Sequence, residues 1–530
     1  MTLADPTGQF PYPSRRMPVW ARHVVATSQP LAAQAGVLAM RAGGNAIDAA
    51  LTAAITLTVV EPTSNGVGSD AFAIVWADGA LHGLNGSGRS PMAWTPQRFA
   101  GREAMPDVGW DSVTVPGAVD AWRRLSERFG RLPFARLFEP AIRYAREGFP
   151  VSPITAAAWQ AAVPRLGGFA EFSRTFLPEG RAPRAGEVFR CPELAETLAS
   201  IAATRGESFY RGELAERIVA ASAAGGGAMT AADLALHGAL DAAPLSVRFR
   251  DVEVHELPPN GQGLAALVAL GVLERLPIEV HEPGSADAVH FEVEAMKLGI
   301  SAAHLWVADP DAMEDDPKEL IEESRLDELA GRVDPRHARP LQGVVPVDPG
   351  TVYLAAGDAD GNMVSFIQSN YRGFGSGIVV PGTGISLQNR GSGFTLQDGH
   401  PNRVAGGKRP FHTIIPAFVT RDGAPEMALG VMGGPMQPQG HLQLLARIVA
   451  YGQVPQAASD APRWFVDDDG SLVLEPGFPV ATAEGLRARG HVVALHGPFG
   501  LFGGAQVVRK AGEVYEAASD SRKDGQAVGF

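Results

Sequence analysis

A threonine hydroxyl becomes a useful nucleophile only beside a base, and Thr351 stands where a chain break would supply one. The α-amino group of an N-terminal threonine has a reference pKa of about 7.7–8.0 and can take the proton of that residue's own hydroxyl. Exposing it requires cleavage of the Gly350–Thr351 bond. Asp348-Pro349-Gly350 is turn-forming, and Gly350 has no side chain to shield its carbonyl from attack. The chemistry such a break would allow is nucleophilic attack by the freed threonine, its own amine serving as the base. On spacing alone Thr351 is equally an ordinary strand residue, because threonine is common in strands.

The element that must position it is a hairpin. Thr351–Gly357 and the run ending at Ser369 flank Asp358-Ala359-Asp360-Gly361-Asn362, a turn sequence. A four- or five-residue loop places Thr351 opposite Gln368 or Ser369, with Cβ atoms about 5 Å apart. One strand therefore delivers a hydroxyl and its neighbour a polar partner. Gly433-Gly434 lies between a predicted strand, 428–431, and a helix start, where backbone N–H groups lack intrahelical acceptors.

The surrounding chain reads as a short strand at 24–28, a helix at 30–42 ended by Gly43-Gly44, and an Ala-rich helix, 46–60, capped by Asn45 with Asp48 near its positive end. That second helix is apolar on nearly every face and is expected in the core. A hairpin follows around Asp78-Gly79. Residues 112–330 read mostly helical, with a strand at 111–117 and helices at 118–129, 133–148, 264–276 and 286–306. Residues 309–347 read as an exposed connection in which a cut is tolerated. Strands return after Thr351, at 384–387, 411–419, 428–431, 472–474, 492–495 and 505–509, with one helix at 442–451. Strands, a helical block, then strands again fit an α/β sandwich of two sheets covered by helices.

Composition narrows the function. A net charge of −13 over 530 residues argues against a nucleic-acid footprint. No apolar run reaches the roughly 20 residues of a membrane span, and Met1–Phe10 lacks the apolar core of a signal peptide. Cys191 is the one cysteine, so no intrachain disulfide forms. The expectation is a cytoplasmic protein. Cys191 reads as packing or as a lone reactive thiol. No His/Cys/Asp/Glu set stands at metal-ligand spacing; His255-Glu256 lacks the second histidine of a zinc helix. Gly373–Gly377 is not followed by a helix, which argues against a dinucleotide site.

The run from Thr351 through Asp358–Ser365, Phe374-Gly375-Ser376-Gly377, Gly382-Thr383-Gly384 and Leu387-Gln388-Asn389 resembles the small-subunit start of the γ-glutamyltransferase family. Ser28–Ala32, Gly43–Ala49, Val60-Glu61-Pro62, Lys408-Arg409-Pro410, Gly433-Gly434, Ala461-Pro462-Arg463 and Ser519–Gly525 resemble its other blocks, in the family's order along essentially the whole chain. The resemblance implies an α+β fold, the four-layer αββα sandwich of N-terminal-nucleophile hydrolases. It implies self-cleavage into a large subunit, 1–350, and a small one, 351–530, that together form one domain, with a heterotetramer as a further assembly. Thr351 would be the nucleophile, Ser369 the hydroxyl that orients it, and Gly433 and Gly434 the oxyanion hole. Arg89, Asn370, Asn389, Arg390, His412 and Thr413 fall at or beside the substrate-contact positions. No cofactor or metal is implied, and the partner is a small-molecule amide.

The pocket departs from the family. Where the family holds an α-ammonium with a carboxylate, Leu387-Gln388-Asn389-Arg390-Gly391-Ser392-Gly393 offers Gly393. The family's Ser-Ser pair is His412-Thr413, behind an intervening Phe411, and Arg89 is shifted toward Pro91. Three functions are open: γ-glutamyl transfer or hydrolysis on glutathione-like donors; a glutaryl- or cephalosporin-acylase-like amidase for acyl groups with a carboxylate but no α-amine; and an inactive scaffold.

Overall fold

The computed structural model describes residues 15–341, 350–495 and 500–530. Asp348 and Pro349, part of the turn expected before the nucleophile, lie outside the described residues. Two seven-stranded antiparallel sheets stack face to face. The first runs Gln526–Gly529, Val24–Thr27, Thr351–Gly357, Met363–Ser369, Asp70–Ala77, Ala80–Asn85, Leu240–Asp241; the second runs Val19–Ala21, Val514–Ser519, Gly504–Ala511, Ala424–Met432, Ala417–Arg421, Val252–Glu256, Leu245–Phe249. Each sheet interleaves strands from before and after Thr351.

Side-chain alternation builds the layers. Tyr353, Ala355, Phe72 and Ile74 point between the sheets, where they meet Phe418, Ala428, Met432 and Val508. Val352, Leu354, Ala356, Ala71 and Ala73 point outward against the helices Pro30–Arg41 and Ala46–Val60. The second sheet's outer face is covered by Gly263–Glu274, Ala286–Trp306 and Met436–Leu445. The result is the four-layer αββα sandwich. Every residue of Ala46–Val60 is buried, and Asn45 and Asp48 close a capping box at its start. The hairpin turn is fastened there too: Asp358 Oδ2 accepts from Ala46 N–H at 2.8 Å. Among the described residues no helix is long and apolar enough to cross a membrane.

Several expectations shift. The strand read at 111–117 is absent because Val115 N–H donates to Arg89 O in a loop rather than joining a ladder. The helical block contains the hairpin Leu245–Phe249 and Val252–Glu256, whose strict in–out burial is a period-2 pattern. The 309–347 connection contains the helix Glu323–Ala330. Residues 384–387 form only isolated bridges. The strand read at 411–419 begins only at Ala417, since the backbones of Asn260, Gly261 and Gln262 hold His412 at a crossing point before it. The helix read at 442–451 begins at Met436, directly after the glycine pair. The closing strands Val514–Ser519 and Gln526–Gly529 complete the two sheets.

Candidate active site

Thr351 opposes Ser369, and Ser369 opposes Asp70 on the next strand. All three share the parity of Tyr353, Ile367 and Phe72, so they stand side by side on the inter-sheet face. Ser369 Oγ is fully used: it accepts from Thr351 Oγ1 at 3.2 Å and from Tyr371 N–H at 2.8 Å, and donates to Gly350 O at 2.6 Å. A hydroxyl with one proton and two lone pairs can do no more. The Gly350 carbonyl is thereby polarised beside the hydroxyl able to attack it. Gly350 also fits only as glycine, because a Cβ there would lie 2.6 Å from Tyr371 O and 2.7 Å from Arg372 C.

The bend after Ser369 is held in an unusual backbone state. Tyr371 and Phe374 have φ of +77° and +58°, a region costly for residues with a Cβ. Surroundings enforce it: the Phe374 ring packs edge-on to Trp159 and Phe172, and Arg165 donates to the carbonyls of Gly373 and Gly375. Asn389 Oδ1 accepts from Arg372 N–H at 3.1 Å, and its Nδ2 donates to Asp107 O. Asn370 is tied to Ser69 and Ser386. Both asparagines thus brace the loop.

Arg390 is 1% exposed. Its guanidinium lies 4.7 Å from the Tyr371 ring centroid, and Nη1 donates to Thr413 Oγ1 at 2.8 Å. Its Nε and Nη2 have no hydrogen-bond partner among the described residues. Burial pushes its pKa down to about 10, while Asp70 opposes that shift. Two unmatched donors on a buried cation are costly, and a planar fork of this kind suits a carboxylate. At Gly393 a Cβ would lie 2.4 Å from Phe411 O, so no side chain fits without moving backbone.

His412 is fully buried. Its Nε2 lies 3.1 Å from Asp70 Oδ2, and Ile414 N–H faces Nδ1. Burial holds the imidazole well below its ordinary pKa, with Arg390 adding to the shift. Burial likewise raises Asp70 to about 7. With a neutral ring, the contact is an N–H donated to a carboxyl rather than an ion pair. Thr413 O and Gly434 O both accept from Gln262 Nε2, at 2.6 and 2.9 Å. A continuous set of contacts therefore runs from Thr351 through Ser369, Tyr371, Arg390, Thr413 and Gln262 to Gly434. Gly433 and Gly434 adopt φ of +118° and +58°. Their carbonyls accept from Met436 and Gln437 N–H, and neither of their own amides has a backbone acceptor among the described residues.

The structure places Arg89 apart from this set. It is paired with Asp309 at 3.1 Å and Asp311 at 3.3 Å, with its side chain 40% exposed. Cys191 is buried, and burial raises its thiol to about 11, which disfavours the reactive thiolate. Arg463 and Asp520, from two of the family-like blocks, form a buried pair at 2.6 Å that joins those segments. Sequence reasoning passed over Asp70, Gln262 and Tyr371. Asp70 had a signal: an acid at the start of the apolar strand run 71–76, on the face of Phe72 and Ile74.

The gamma-glutamyltranspeptidase family model matches residues 32–530. A glutathione hydrolase-like proenzyme of Bacillus subtilis is 37% identical over 97% of this chain and 99% of its own length. An oxamate amidohydrolase proenzyme of Klebsiella pneumoniae is 37% identical over 94% and 97%. A cephalosporin acylase structure from Bacillus halodurans superposes with a TM-score of 0.95 at 47% identity, covering 98% of each chain. With the matched model spanning nearly the whole chain and both glycine-rich and threonine blocks in place, this protein belongs to the gamma-glutamyltranspeptidase family of hydrolases.

Proposed function

We propose that the chain cleaves itself before Thr351 and then hydrolyses amides whose acyl group carries a carboxylate but no α-amine. In the first step Thr351 Oγ attacks the Gly350 carbonyl carbon, the hydroxyl proton passes to the departing Thr351 nitrogen, and the C–N bond breaks to leave an ester. Water then hydrolyses the ester, giving a Gly350 carboxylate and a free Thr351 amine. Separation of Gly350 from the Tyr371–Gly373 bend uncovers the threonine. In the mature enzyme the amine accepts the hydroxyl proton as Thr351 attacks the substrate amide and returns it to the leaving amine; water then hydrolyses the Thr351 ester, releasing the acyl group as a carboxylate and restoring the hydroxyl. Backbone N–H groups of Gly433 and Gly434 receive the oxyanion. The mature form is a large piece, 1–350, and a small piece, 351–530, whose strands interleave in both sheets and so stay together.

The observation that carries the substrate choice is the buried Arg390 guanidinium, whose Nε and Nη2 have no partner among the described residues and which connects through Tyr371 to Ser369. The relatives' names agree in kind, since oxamate is an amide bearing a carboxylate. A γ-glutamyl donor shares the same nucleophile and carboxylate, and the glutathione hydrolase-like relative favours it. Its α-ammonium, however, would meet Gly393 where the family offers an acid. Rates on glutaryl and γ-glutamyl anilides decide between the two: preference for glutaryl is expected, and efficient γ-glutamyl turnover would sink the substrate assignment. An intact chain with no activity would instead favour an inactive scaffold.

A further inference from the structure

A second cluster lies outside the catalytic set, on the far side of the second sheet. His290 and Glu294 stand one helical turn apart on Ala286–Trp306, and His491 approaches from the C-terminal region. All three are buried, and one ligand atom from each lies within 4.8 Å of the others. The sequence conceals this, because the i, i+4 pair lacks its third member by about 200 positions.

We propose that His290, Glu294 and His491 bind a divalent transition-metal ion of the zinc class, which ties the helix to the C-terminal region. Two imidazoles and a carboxylate are a donor set suited to zinc. His290 Nε2 lies 2.7 Å from the Asp334 carbonyl, which only accepts, so Nε2 carries the proton and Nδ1 keeps its lone pair. That is the carbonyl-fixed tautomer of metal-ligating histidines. Nδ1 faces His491 Nε2 at 2.8 Å. Opening this gap by roughly half an ångström lets both nitrogens reach one ion at about 2.0–2.1 Å. The other His491 nitrogen, Nδ1, is buried and has no partner among the described residues.

The charged groups facing the cluster set the competition. Lys297 Nζ lies 2.9 Å from Glu294 Oε1 and also donates to Arg339 O at 2.7 Å. Arg339 N–H donates to Glu294 Oε2 at 3.1 Å. Arg489 is near both rings but is paired with Asp287. Lys297 competes with a metal ion for the Glu294 carboxylate, and the Arg339 carbonyl gives its ammonium a second acceptor. Lys297 therefore sets the affinity.

The test uses the full-length chain, stripped with chelator and titrated with zinc and then cobalt. Expected are one equivalent bound, a visible cobalt spectrum of tetrahedral character and a higher melting temperature. His491→Asn and Glu294→Gln should each weaken zinc by about 100-fold or more, and Lys297→Met should tighten it by about tenfold, as removal of a like charge predicts. Absence of saturable binding in the wild type overturns the proposal, and so does His491→Asn binding as tightly as the wild type. Stoichiometry and spectrum are read without any amide assay, so failure here is separate from failure of the proposed activity.

Discussion

Ser369 and Arg390 are both buried polar groups within one connected set, and they are finished differently. Around Ser369 every hydrogen-bonding position is taken by the protein itself, from Thr351, Tyr371 and Gly350. Around Arg390 one nitrogen has Thr413 while two have nothing among the described residues. In the proposed self-cleavage, attack on Gly350 needs no outside molecule, so its donors can be satisfied in advance, which would be electrostatic preorganisation. The proposed recognition of an acyl group by Arg390 needs donors held back for it, and under that proposal the fold bears their desolvation cost until the ligand arrives.

The comparison breaks most completely at the nucleophile. Thr351→Ala should leave the 55.7 kDa chain whole on a denaturing gel, whereas the wild type gives two fragments; fragments from the variant would refute self-cleavage by this residue. Next in size, Ser369→Ala removes the donor to the Gly350 carbonyl. Fragment formation should slow by about 10²–10³-fold, the loss expected for an oxyanion donor, and Ser369→Thr should restore most of it. On the pocket side, Arg390→Met should lower kcat/KM for a glutaryl anilide by about 10- to 100-fold, from 1.5–3 kcal/mol for a charged hydrogen bond. A neutral acyl anilide and the cleavage rate should change little. Equal losses on both substrates would mean Arg390 serves the fold rather than recognition.

A smaller effect tests the closed corner of the pocket. Gly393→Ala presses a methyl group against Phe411 O and should cost about 1–3 kcal/mol by chemical denaturation. No measurable cost would show that the corner yields and that an acid there is excluded for another reason. The smallest effect concerns Asp70. Its folded pKa is raised to about 7 from 3.8, so the folded state holds a proton that the unfolded state loses in that window. Its contribution to stability is greatest below pH 3.8, declines as pH rises to about 7 and is constant above. The melting temperature of Asp70→Asn relative to wild type should therefore rise from pH 5 to 7 and level off at pH 8. Because His412 touches Asp70, the same comparison in a His412→Asn background removes the titration of that imidazole from the difference. A difference flat across that range would remove Asp70 as the titrating group.

Much of this was legible in the residues. Period-2 alternation and a four- or five-residue turn placed Thr351 opposite Gln368 or Ser369 without any fold knowledge, and the observed register is the one with Ser369. Asn45, Asp48 and the apolar run behind them announced a buried, capped helix. Local chemistry settled these, since hairpin register and helix caps depend on neighbours a few residues apart. The strand at 245–249 had its alternation too, but a five-residue pattern inside a helical stretch carries little weight until a neighbouring strand pairs with it.

The rest depended on contacts made across hundreds of positions. The sequence showed that Arg390, Asn389, Arg89 and His412 exist near the right motifs. Only the packed sheets decided that Asn389 braces a loop, Arg89 is neutralised by Asp309 and Asp311, His412 leans on Asp70, and Arg390 has two donors without a partner among the described residues. The same holds for His290, Glu294 and His491. A side chain's type is written locally, but its partner, and therefore whether its charge is used or held open, is set by which distant backbone the core brings beside it.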